Sequence, residues 1–161
     1  TEEWNLRSQS IITRQVLRAE HARNQSRILL AEDNLVNQKV ALRMLERLGH
    51  RVTVVANGRE VIEAWQSGHY DLILMDCQMP ELDGYAATRE IRRLEQGTKH
   101  IPIVALTAHA MRGAELECFA AGMDDYLSKP IDRDRLEACL TRHATMQADA
   151  QALHSFDEPA A

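Results

Sequence analysis

Five side chains in this sequence have types and positions that could do chemistry together: Glu32 and Asp33 in AEDN, Asp76 ending LILMD, Thr107 ending IPIVALT, and Lys129 in DYLSKP. Each taken singly has a plainer role, as an acid at a helix start, a loop cap, a helix N-cap or a solvated surface amine. Together they make a site if the fold brings them to one place. Two carboxylates about 4 Å apart repel by roughly 4 kcal/mol at an effective dielectric near 20, so three acids at one rim need a proton or a cation. Hard oxygen donors suit a magnesium ion that keeps several waters better than they suit zinc. A phosphoryl group arriving there has its charge countered by the metal, by the Lys129 ammonium and by the Thr107 hydroxyl. Asp76 is then a carboxylate able to attack phosphorus, and the chemistry implied is formation of an acyl phosphate.

The elements that must deliver these groups follow from the apolar pattern. RILLA (Arg27 to Ala31) is a short apolar strand, and Val36, Val40, Ala41, Met44, Leu45 and Leu48 follow at helical spacing, closed by Gly49. RVTVVA (Arg51 to Ala56) precedes a helix carrying Val61, Ile62 and Trp65, and DLILMD (Asp71 to Asp76) precedes one from about Asp83 to Leu94. IPIVALT (Ile101 to Thr107) leads into a helix around Met111 to Ala121, and DYLSKP (Asp125 to Pro130) into one carrying Leu136 to Leu140. Five strands alternate with five helices, and two strands are apolar on both faces. That pattern predicts a doubly wound α/β domain, a five-stranded parallel sheet with helices on both faces. In such sheets ligands bind beyond the carboxyl ends of the strands, where the strand order reverses. Four of the five strand ends carry the residues named above, and the second ends on Ala56 and Asn57, which offer little.

Composition bounds the alternatives. The 161 residues, 45% of them hydrophobic, suffice for one core plus arms. A net charge of -5 provides no basic stripe for nucleic acid. No apolar run approaches a membrane span and no signal-peptide pattern opens the chain, so the segment is expected in the cytoplasm, without membrane contact of its own. The three cysteines, Cys77, Cys118 and Cys139, show neither CxxC pairing nor zinc-type histidine spacing and read as core thiols. Cys77 follows Asp76 on its strand and so points away from the rim. The seven histidines show no i,i+4 pair among themselves and read mostly as surface residues. The domain is expected over residues 27–145. Residues 1–26, with Ile12, Val16 and Ala19 at helical spacing, read as a helical linker, and 146–161 as a flexible polar tail. A chain that opens on Thr1 rather than Met reads as a piece of something longer.

From about Arg27 to Arg142 the chain resembles the receiver domains of two-component response regulators, through AEDN, LILMDCQMPELDG, VALTAHA and GMDDYLSKPI in that order. The resemblance implies a flavodoxin-like strand order 2-1-3-4-5 and Asp76 as the phosphoacceptor. It implies magnesium bound by Asp33, Asp76 and the backbone carbonyl of Gln78, with help from Glu32. It also implies that Thr107 and Lys129 contact the phosphoryl group, that the Lys129-Pro130 bond is cis, and that Tyr126 is the switch aromatic answering Thr107. The stretch VALTAHAMRGAELECFAAGMDDYLSKPI looks most like receivers attached to hybrid sensor histidine kinases. That likeness implies a phosphohistidine partner, either the kinase's own histidine bundle as donor or a separate histidine phosphotransfer domain as acceptor. Asn34, Asn37 and Gln38, uncharged at the start of the first helix, are the expected docking residues.

Two other functions compete. Phosphohydrolases that form an aspartyl phosphate carry a second aspartate two residues beyond the nucleophile, where this chain has Gln78. A phosphorylation-independent interaction module would have no use for Glu32, Asp33, Asp76, Thr107 and Lys129 together. The segment is expected to catalyse its own phosphorylation and dephosphorylation rather than to turn over a free substrate.

Overall fold

The structure, a computed structural model, describes residues 25–97, 99–108 and 113–155. The linker helix expected over 1–26 therefore lies outside the described residues but for its last two, and Met111 lies outside them as well.

Strands covered on both faces need apolar side chains along their length, and LILMD and IVALT supply them up to their polar last residues. β1 (Arg27–Ala31), β2 (Arg51–Val55), β3 (Leu72–Asp76), β4 (Ile103–Thr107) and β5 (Asp125–Ser128) form one parallel sheet in the order β2-β1-β3-β4-β5. Every residue of β3 and β4 is buried. Alternate side chains feed two layers. Leu29, Ala31, Ile73, Met75, Ile103 and Ala105 pack with α2 (Gly58–Ser67), α3 (Gly84–Glu95) and α4 (Ala114–Ala121) through Val61, Ile91 and Cys118. Ile28, Leu30, Leu74, Val104, Leu106 and Leu127 pack with α1 (Leu35–Arg47) and α5 (Arg133–Ser155) through Ala41, Leu45, Leu136 and Cys139. A one-residue slip would exchange the two layers, so burial fixes the register. Ala31 then lies opposite Met75 and Asp76 opposite Leu106, which brings the strand ends level.

Three helix starts sit at that same rim, each capped by a side chain that accepts from the first turn: Asn34 on α1, Asn57 on α2 and Asp83 on α3. The Lys129-Pro130 peptide is cis, as the resemblance implied.

Two sequence expectations change. Val36 and Val40, read with Ala41 and Leu45 as one apolar set at helical spacing, are 68% and 46% exposed, while Ala41 and Leu45 face the sheet. On a helix of 3.6 residues per turn Val36 is turned about 140° from Ala41 and about 180° from Leu45, and Val40 about 140° from Leu45, so the exposed pair lies largely on the other side of the helix from the buried one. The last helix also does not stop near 145. α5 continues to Ser155, through ATMQADAQAL, whose alanines, glutamines, methionine and leucine are good helix formers.

The start of α3 is seated on the backbone of the third strand's end. The Gly84 N–H donates to the Cys77 carbonyl at 3.1 Å, and a Cβ at Gly84 would collide with the Asp76 carbonyl oxygen. Gly84→Ala is therefore expected to destabilise the protein by about 1–3 kcal/mol, the usual penalty of an overpacked site. Urea unfolding measures it, and an unchanged midpoint would mean that α3 can shift at no expense.

Candidate functional site

The strand order reverses between β1 and β3, and a cleft of about 860 Å³ opens at the carboxyl ends there, lined by Glu32, Asp33, Asp76, Gln78, Thr107 and Lys129 among others. Residues chosen from separate strand ends thus meet in one place. Glu32 and Asp76 are buried and Asp33 is exposed. One carboxylate oxygen from each of the three lies within 4.8 Å of the others.

Lys129 answers that concentration of charge. Its Nζ lies 2.8 Å from Glu32 Oε2 and 3.0 Å from Asp76 Oδ2. Glu32 Oε2 takes no other hydrogen bond and is met by this ammonium instead. The remaining carboxylate oxygens are held by backbone. The Asn34 N–H donates to Glu32 Oε1 at 3.1 Å, and the Gln78 N–H donates to Asp76 Oδ1 at 3.2 Å. Burial works to raise both acids, but with different results. In Glu32, Lys129 and the Asn34 N–H outweigh burial and hold the carboxyl below its ordinary value. In Asp76 burial prevails, the Glu32 charge adds to it, and the carboxyl is raised. Burial acts to lower Lys129, yet its two acidic partners keep it above its usual value. The cleft therefore rests as a Glu32–Lys129 pair beside an Asp76 carboxylate that is short of positive charge.

Thr107 completes the site from the end of β4. Its Oγ1 is buried without a hydrogen-bond partner, a condition that costs about 1–3 kcal/mol when nothing else occupies the donor. Three carboxylates fit a hard divalent cation, and an ammonium beside an unpaired hydroxyl fits an oxyanion. The donor set accommodates both at once.

Residues 28–141 match the family model of the response regulator receiver domain. The chain belongs to that family. This receiver domain is 43% identical over 163 residues to histidine kinase 1 of Arabidopsis thaliana, an alignment covering 78% of this chain but only 14% of that protein. The crystal structure of the receiver domain of a Pseudomonas aeruginosa PAO1 sensor histidine kinase has magnesium in its active-site cleft. It is 50% identical, covers 75% of this chain and 98% of that one, and superposes with a TM-score of 0.69. A Saccharomyces cerevisiae receiver domain, crystallised with a histidine phosphotransfer signalling protein, is 32% identical, with 77% of this chain and 92% of that one covered and a TM-score of 0.72.

Other expected site residues fall elsewhere or carry a second duty. Tyr126 does not line the cleft; its ring meets Phe119 edge-on, with centroids 6.4 Å apart at 82°, and its hydroxyl donates to Glu115. Asn34 caps α1 with its side chain, and the Gln38 amide donates to the Glu32 carbonyl at 2.6 Å, so both build the receiver's rim as well as lying near it. Asn37 lines the cleft and is exposed. Tyr85 and Glu117 also line it, entering from α3 and α4, where no strand-end argument would find them. Cys77 is core, with burial pushing its thiol up to about 12, so it is no nucleophile. Among the described residues no helix is long and apolar enough to cross a membrane.

A carboxyl raised in the fold reduces stability once the pH exceeds its ordinary range, because the unfolded chain then releases its proton first. Asp76→Asn is accordingly expected to melt higher than wild type in chelator at neutral pH, on the order of 2–4 °C, the effect of about 1 kcal/mol in a chain of this size. The gap should close below a pH of about 4, where both forms are neutral. An equal or lower melting temperature at neutral pH would mean that pairing with Lys129 outweighs burial at Asp76.

Proposed function

We propose that this receiver domain is a station in a histidine-to-aspartate phosphorelay, with Asp76 as the residue that takes the phosphoryl group. The observation that carries this conclusion is the Lys129 ammonium spanning Glu32 and Asp76 beside a buried Thr107 hydroxyl without a partner. Asp33, Asp76 and the Gln78 carbonyl, with help from Glu32, would hold magnesium, which when bound counters the charge of the incoming group. The Asp76 carboxylate attacks phosphorus in line, the bond from phosphorus to the imidazole nitrogen breaks, and the histidine leaves with the electron pair of that bond. Lys129 already stands 3.0 Å from the attacking carboxylate and meets a phosphoryl oxygen as the charge moves outward. The Thr107 hydroxyl donates to another. Drawn inward, Thr107 vacates space that Tyr126 can enter once it leaves Glu115, which makes these two residues the switch.

Likeness to the Arabidopsis kinase and to the Pseudomonas sensor kinase receiver supports placing this segment within a hybrid histidine kinase, acting in the cytoplasm. Its partners are then a kinase phosphohistidine and a histidine phosphotransfer domain, the kind of protein with which the yeast receiver was crystallised. α1 provides a surface for them. Leu35, at 69% exposure, lies with Val36 and Val40 on the solvent side of the helix that carries Asn34 and Asn37 at the cleft. An apolar patch next to the nucleophile suits a helical bundle that must bring its histidine within reach. A phosphohydrolase reading gains no support, because Gln78 occupies the position of the required second acid.

With acetyl phosphate and magnesium, intact-mass spectra are expected to show a single phosphoryl adduct that is absent in Asp76→Asn and absent in chelator. Steady release of inorganic phosphate without an adduct would favour the hydrolase, and no change of any kind the phosphorylation-independent module. Val40→Glu is expected to slow phosphoryl exchange with a histidine phosphotransfer protein by about tenfold, equivalent to about 1.4 kcal/mol, while labelling by acetyl phosphate stays at the wild-type rate. Unchanged exchange would move the docking face off α1.

A further inference from the structure

A second cluster of ligand-type side chains lies at the opposite end of β5 from Lys129. Cys139 and His143 are one turn apart on α5, and Asp125 opens β5. Cys139 Sγ stands 3.6 Å from Asp125 Oδ2, His143 Nε2 stands 3.3 Å from the same oxygen, and the three ligand atoms lie within 4.8 Å of one another. Cys139 is 0% and His143 7% exposed. We propose that Asp125, Cys139 and His143 form a binding site for zinc or a chemically similar divalent cation, with a water as fourth ligand.

Geometry is the first support. Tetrahedral zinc, with bonds of about 2.3 Å to sulfur, 2.0–2.1 Å to nitrogen and 2.0–2.2 Å to oxygen, sets the sulfur–oxygen edge at about 3.6 Å and the nitrogen–oxygen edge at about 3.4 Å. Both match the separations already present. The second support is an overloaded acceptor. The thiol, the imidazole and the Arg142 guanidinium at 2.9 Å all converge on Asp125 Oδ2, an oxygen with two lone pairs, while Asp125 Oδ1 accepts the Tyr126 N–H. A cation in the middle turns that crowd of donors into a set of ligands. The Arg142 side chain is 60% exposed and is free to swing into solvent as the metal enters.

Charge and donor type agree with zinc. The metal displaces the Cys139 thiol proton to solvent and leaves a neutral centre of one thiolate, one carboxylate and one neutral imidazole around a doubly charged ion. Without metal the thiol stays protonated and inert, since burial and the Asp125 charge push it up to about 12. Thiolate and imidazole discriminate against magnesium, whereas the all-oxygen cleft favours it. Occupancy would fasten α5 to the strand whose far end leads into Lys129.

The test uses cobalt(II) as probe, added to the metal-free full chain with magnesium in large excess to keep the cleft occupied. Expected are visible absorption of tetrahedral strength and a near-ultraviolet thiolate-to-cobalt charge-transfer band, saturating at one cobalt per chain and erased by zinc. Cys139→Ser should abolish the charge-transfer band. His143→Gln should weaken binding at least about tenfold, since loss even of an outer partner of a metal ligand costs about 10–100-fold. Arg142→Gln should tighten binding, because a competing cation is removed from Asp125 Oδ2; a merely hydrogen-bonded cluster would show no such gain. Absence of the charge-transfer band in the wild type, its survival in Cys139→Ser, or weaker binding in Arg142→Gln would each overturn the assignment. Acetyl phosphate labelling of every variant confirms that it is folded, and the wild-type spectrum decides the matter should Cys139→Ser not fold.

Discussion

One ammonium serving two buried acids is the interaction on which the rest of this molecule depends. Lys129 reaches Glu32 and Asp76 only because the ends of β1, β3 and β5 are level, and they are level only because every strand is held in register by two apolar layers. A largely buried ion pair of this kind gains little net stability, since desolvation offsets most of the attraction. Its value is positional. At Asp76 burial outweighs it, so the carboxyl stays raised, in a cleft that also holds an unpaired hydroxyl and can take added positive charge.

The rim is built so that these groups cannot drift. Asn34 caps α1 while its own N–H holds Glu32, Gln38 ties the same helix back to the Glu32 carbonyl, and Gly84 lets α3 rest on the Asp76 backbone. Side chains placed by strand ends and helix caps keep tighter geometry than side chains on loops. The same helix that fastens Glu32 also turns Leu35, Val36 and Val40 toward solvent.

How much of this could be read from the sequence depended on whether a signal was local. LILMD and IVALT announce doubly covered strands because each is apolar at every position before its polar last residue, and Asp76 and Thr107 as strand-end groups followed from that alone. Val36 and Val40 misled because apolar residues at i and i+4 look the same whether the stripe faces a sheet or a partner. The run to Ser155 was hidden because Ala, Gln and Met favour a helix without marking an apolar face. Glu115 holding Tyr126, and the gathering of Asp125 with Cys139 and His143, are invisible to any local pattern. In the second case the i,i+4 relation lay between a cysteine and a histidine, and its third member comes from a strand that only the fold brings near.

The two clusters divide the sheet's fifth strand between opposite chemistries. At its carboxyl end the donors are oxygens and the resident cation is an amine; at its start a thiol, an imidazole and a carboxylate crowd one another beneath α5. Hard and soft donors sort cations by type rather than by overall affinity, so the two sites do not compete even though both lie in one small domain. β5 pairs with β4 along its whole length, from Asp125 opposite Val104 to Ser128 opposite Thr107. The same short strand carries Tyr126 and leads into Lys129, which stands within reach of Asp76. A continuous hydrogen-bonded ladder of four residues joins the two ends.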